Sequence, residues 1–114
     1  LVDRFLLRRV VAPIRSRAGR ERLLWTADHT PKLSGTISPA EVEEARKSAA
    51  MLPWSGEARE ALDAVLAELA REGVRPGDRR QFKTVGAVRA FAFLAAADEV
   101  RPEHLEVAQH TLWD

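Results

Sequence analysis

The chain has 114 residues, 46% of them hydrophobic and 31% charged, with 18 basic against 17 acidic side chains and no cysteine. That length holds one domain or two small lobes, and its balanced charge argues against disorder from self-repulsion. Disulfides, thiolate metal sites and cysteine nucleophiles are excluded, and no apolar run approaches the ~18 uncharged residues of a membrane span.

The first stretch, LVDRFLLRRVVAPIRSR, places arginines inside and after its apolar part, unlike a signal peptide. Phe5–Val11 (FLLRRVV) reads as a short strand stopped by Ala12–Pro13. A lone strand has no ladder partner in this sequence. Together with a start at Leu1 rather than Met, it predicts a piece of a longer chain. Residues 1–22 carry a net +5 and the remainder −4. Such asymmetry suits a nucleic-acid or membrane contact, a solvated flank, or an edge against an acidic neighbour. No aromatics or glycine-rich turns interleave the arginines, which argues against nucleic acid.

Ser16–Trp25 predicts a short helix and Thr26–Ile37 a loop. Ser38 then caps a helix, with Pro39 at its first position and Glu41 completing a capping box. Val42, Ala45 and Ala49 form its apolar line, and Leu52–Pro53 ends it. Ser55 opens the next helix, with Glu57 in its first turn. Ala58, Leu62, Val65 and Leu69 follow the spacing of one buried face, and Gly73 stands just past the end. A helix from about Arg79 to Ala97 is apolar nearly all round from Val85 onward, Arg89 excepted, as in the buried centre of a bundle. Gly86 within it either admits a close neighbour or is merely tolerated, at ~1 kcal/mol. A last helix runs from Pro102 to about Trp113. The expected fold is mainly α: a small antiparallel helical bundle behind one orphan strand.

Chemistry has few candidates. His29 sits in a loop, and Glu103, Glu106 and His110 would share one face of an α-helix, a spacing that suits either a metal or a solvated surface. Trp25, Trp54 and Trp113 suit hydrophobic seams at element ends, with ligand stacking the alternative. The most informative stretch is Gly77-Asp78-Arg79-Arg80-Gln81-Phe82. Two arginines in the opening turn oppose the roughly +0.5 charge of a helix N-terminus, and Asp78 as cap offsets only part of that cost. Free N–H groups, dipole and guanidiniums together suit phosphate. The alternative is that Asp78 and surface glutamates pair with both arginines. The chain contains no phosphate loop of the form G-x-x-x-x-G-K-[ST], so it can at most complete another segment's nucleotide site.

In order and spacing the chain resembles the C-terminal part of a MoxR-family AAA+ ATPase of the RavA-like branch. The residues that carry the resemblance are Leu1-Val2-Asp3-Arg4-Phe5, FLLRRVV, TISPAEVEEAR, MLPWSGEAREALDAVLAEL, GDRRQFKTVGAVRAFAFLAAADEVRPEHL and the closing HTLWD. It implies that residues 1–37 are the edge of an α/β core missing here, and that 38–114 are a helical segment and lid. By the same resemblance Arg4 matches an arginine finger reaching a neighbouring subunit, the alternative being a structural arginine paired with Asp3. Arg79 matches sensor 2, the arginine that contacts the γ-phosphate, with Arg80 in support. Gly77 departs from the serine common at that position, which weakens the cap. The family implies ATP and Mg²⁺ for the complete protein, a hexameric ring, chaperone-like remodelling in the cytoplasm, and a partner with a von Willebrand factor A domain. Two other classes remain open: a non-enzymatic interaction module docking through helix 55–72 or the arginine-rich front, and a nucleic-acid-binding bundle.

Overall fold

The computed structural model describes residues 4–113. Leu1, Val2, Asp3 and Asp114 lie outside the described residues, and with them the first three residues of Leu1-Val2-Asp3-Arg4-Phe5, the Asp3–Arg4 pairing and the last residue of HTLWD.

The molecule is mainly helical, a small bundle with an extended front. Helix α1 spans Arg17–Trp25, α2 Pro39–Ala50, α3 Gly56–Arg71 and α4 Asp78–Leu94, followed by a 3-10 helix over Pro102–His110. Three of these starts follow directly from hydroxyl caps. Ser16 Oγ accepts from Gly19 N–H at 3.0 Å, Ser38 Oγ from Glu41 at 3.2 Å, and Ser55 Oγ from Ala58 at 3.1 Å. Glu41 returns the favour to Ser38 N–H at 3.1 Å, which completes the expected capping box.

Two helices end in the same way with different residues. At the end of α3, Val74 N–H donates to Leu69 O at 2.8 Å while Gly73 turns through φ +85°. At the end of α4, Ala97 N–H donates to Ala92 O at 3.0 Å, and here Ala96 takes φ +58°. Glycine meets that turn without steric cost, whereas the alanine Cβ is strained in it by about 1 kcal/mol. No glycine marks the second stop, and α4 ends three residues before the expected Ala97.

Helix α4 is the centre of the bundle: α2 and the 3-10 helix both pack on it, and α3 packs on the 3-10 helix. Its buried side is narrower than its composition suggests. Thr84, Val88 and Ala92, four residues apart, are buried, while Phe82 and Leu94 are 81% and 82% exposed. A Cβ at Gly86 would meet nothing within 4 Å, so that glycine admits no close neighbour and is simply tolerated. Trp54, Ala58, Val88, Ala92 and Val100 make the core, with Leu62, Val85 and Leu105 against it. The two connecting segments meet inside it: Val100 N–H donates to Pro53 O at 2.8 Å and Ser55 N–H to Val100 O at 3.0 Å. On the apolar line of α3, Val65 is exposed while Leu62 and Leu69 on either side of it are half-buried.

Ahead of the bundle the chain is extended and open. No strand forms over Phe5–Val11, because a strand needs a ladder and the described residues supply none. Helix α1 forms behind its Ser16 cap but buries no residue. Trp25 was expected to close a seam and is instead 79% exposed. This arm raises the radius of gyration to 18.0 Å, against about 13 Å for a compact chain of this size.

Candidate functional site

The site lies where the chain's two ends meet the start of α4. Gly77 is the N-cap of α4 and offers no side-chain acceptor, so the expected cap at Asp78 is corrected: Asp78 is the first helical residue. Gln81 steadies the turn from the other side, its Nε2 donating to Pro76 O at 2.8 Å. The opening N–H groups of the helix therefore have no hydroxyl or carboxylate cap.

A cleft of about 460 Å³ opens at this point, lined by Arg4, Leu6, Gly77, Arg79, Arg80 and Lys83. It holds four cationic side chains, and no carboxylate stands among its described lining residues. Arg4 and Arg79 are exposed and, among the described residues, make no ion pair. The carboxylate pairing considered for Arg79 is thus not formed. Lys83 follows Arg79 by one helical turn, which places both on one side of α4. Like charges gathered at a helix N-terminus produce a concentrated positive potential, suited chemically to a polyanion.

Arg80 has a different place. Its Nη1 donates to Phe5 O, Leu6 O and Thr111 O at 3.5, 3.3 and 3.2 Å, and its guanidinium lies over the Trp113 ring. It forms a wall of the cleft while tying the front of the chain to its end. Thr84 Oγ1 donates to Arg80 O at 2.9 Å and pairs at 2.9 Å with the Oγ1 of Thr111, and both threonines are fully buried.

The structure thus brings together Arg4, Arg79 and Arg80, separated by about 75 residues in sequence, and adds Lys83, Leu6, Arg8 and Trp113. Lys83 was legible as the i+4 neighbour of Arg79. Nothing in the sequence could have paired Arg8 or Leu6 with Trp113, more than 100 residues away.

The histidines serve the fold. His104 is buried, and its Nδ1 accepts the Arg101 N–H at 2.9 Å, which caps the 3-10 helix. His29 Nε2 stands 3.1 Å from Leu23 O. The face proposed for Glu103, Glu106 and His110 does not form. With three residues per turn, Glu106 eclipses Glu103 but His110 rotates away. Among the described residues no group of three or more histidine, aspartate or glutamate side chains is placed to hold a metal ion.

The fold and the site together define a small helical bundle with a cationic cleft at one end. No protein-family model matches the chain, and no solved structure matches it. It is similar to two uncharacterized proteins of Methanocaldococcus jannaschii. MJ0812 is 31% identical over 113 residues, 98% of this chain and 30% of that protein. MJ0079 is 32% identical over 112 residues, 98% of this chain and 29% of that protein. The chain thus spans about three tenths of the length of these curated relatives. No helix among the described residues is long and apolar enough to cross a membrane.

Proposed function

We propose that the chain is the core edge and lid of a MoxR-family AAA+ ATPase of the RavA-like branch, and that its cleft receives the phosphate tail of ATP. The observation that supports this reading is the meeting of Arg4 and Arg79 in one cleft, with no carboxylate among its described lining residues, at the start of α4, which has no side-chain cap. Arg79 would touch the γ-phosphate, and Arg4 would neutralise the charge that spreads over the transferring phosphoryl oxygens. Because both line one cleft, both meet the same nucleotide. A finger that serves a neighbouring subunit therefore brings Arg79 to that neighbour as well.

The cleft's donor set fits phosphate and not a metal ion, so Mg²⁺ would be held by residues outside this chain. A hexameric ring, chaperone-like remodelling, a von Willebrand factor A domain partner and a cytoplasmic setting belong to the same proposal. The test uses the full-length protein. Arg4→Ala should cut ATP turnover by about a hundredfold or more with nucleotide binding largely intact. Arg79→Ala should lower turnover or nucleotide affinity about tenfold or more. Wild-type turnover and affinity in both variants would remove the finger and sensor roles, and with them the cleft as the phosphate site.

A further inference from the structure

Four arginines gather where the chain's ends meet, and they divide into two pairs. Arg4 and Arg79 line the cleft, as Arg80 also does, but neither contacts the Trp113 ring. Arg8 and Arg80 lie against the indole of Trp113, their guanidinium carbons 3.1 and 3.7 Å from the ring centroid. Two guanidiniums that close to one centroid would collide on a single face, so the ring is held between them. Each tied arginine sits near an untied one in sequence: Arg80 directly follows Arg79, and Arg8 comes four residues after Arg4.

Hydrogen bonds extend the clasp into both segments of the junction. Trp113 Nε1 donates to Leu6 O at 3.3 Å, and Arg8 N–H donates to His110 O at 2.9 Å. Behind it the buried Thr84–Thr111 hydroxyl pair fixes the end of the chain to the first turns of α4. The arrangement answers an electrostatic difficulty. Arg4, Arg79, Arg80 and Lys83 repel one another, and no carboxylate stands among the described lining residues of the cleft. A ring face attracts guanidinium without adding a negative charge that would compete with an anionic ligand.

We propose that Trp113 is a positioning residue: by clamping the Arg4 segment onto the start of α4, it presets Arg4 and Arg79 to meet one polyphosphate. This inference rests on the ATPase reading, and its role is exerted through Arg4 rather than on the nucleotide.

A double-mutant cycle in the full-length protein tests it, with ATP turnover and amide exchange at Arg8 as readouts. Trp113→Ala should lower turnover about tenfold and speed exchange of the Arg8 amide, because the ring contacts and the Leu6 bond are lost together. Trp113→Phe keeps a ring face and should recover part of the loss. In an Arg4→Ala background Trp113→Ala should cost nothing further, since its effect passes through the arginine already removed. Equal fractional losses in both backgrounds, or unchanged Arg8 exchange in Trp113→Ala, would overturn the positioning role alone. Unchanged turnover in Arg4→Ala would remove the finger role of Arg4 and the proposal with it. If Trp113→Ala does not fold, Arg8→Gln at its exposed site enters the same cycle, with the same outcomes.

Discussion

The bundle and the arm in front of it are built from similar residues to opposite effect. In the bundle, Val88 and Val100 are fully buried and Trp54 is 8% exposed. In the arm, Val10, Val11 and Trp25 are 95%, 85% and 79% exposed. Both regions form capped helices, yet α1 buries nothing while α3 and α4 share a core. Nine residues are too few for an isolated helix to be more than marginal in water, so local signals place α1 without anchoring it. The contrast teaches that apolar content describes a need for a partner surface, and only packing says whether that need is met within the chain.

Paired substitutions break or sharpen the contrast. The largest effect is expected from Val88→Ala, which should cost about 2 kcal/mol in denaturant unfolding by opening a cavity in the core. Val10→Ala in the same chain should stay within about 0.5 kcal/mol. Equal losses would mean that the arm packs on the bundle in solution. Next come the caps. Ser55→Ala should lower global stability by about 1 kcal/mol, whereas Ser16→Ala should only increase fraying of α1, seen as faster exchange of the Gly19 amide. A global loss from Ser16→Ala would show α1 to be part of the cooperative unit.

The smallest effect is a pH dependence confined to the arm. The Asp28 carboxylate accepts the Thr30 N–H at 2.9 Å, and this bond holds its pKa below the ordinary 3.8. The contribution is therefore complete above 3.8 and is lost as pH falls through the lower folded-state value. Protection of the Thr30 amide should fade over that acid range without a shift in global unfolding. Asp28→Asn should remove the pH dependence, and its persistence would mean that another group controls the turn.

Much of the local structure was legible because its causes are local. A serine three residues ahead of an N–H, a proline at a first turn and a glycine at a left-handed stop act within one or two turns of chain. Ser38-Pro39-x-Glu41 and Gly73 behaved accordingly. Composition misled where burial depends on what lies opposite. Helix α4 looked apolar all round, yet within it the fully buried residues are the stripe of Thr84, Val88 and Ala92. The 3-10 winding over Pro102–His110 was also out of reach, because the choice between three and 3.6 residues per turn depends on packing.

What the amino-acid order determined by itself was the helical class, the serine caps and the pair of arginines in the first turn of α4, since these depend on residues a turn apart. What tertiary structure alone decided was the company those arginines keep. Arg4 reaches the same cleft as Arg79, and Arg8 and Arg80 close on Trp113, across separations of about 33 to 105 residues. Charges so distant in sequence carry no mutual signal along it; they interact only once folding brings them within a Debye length of one another.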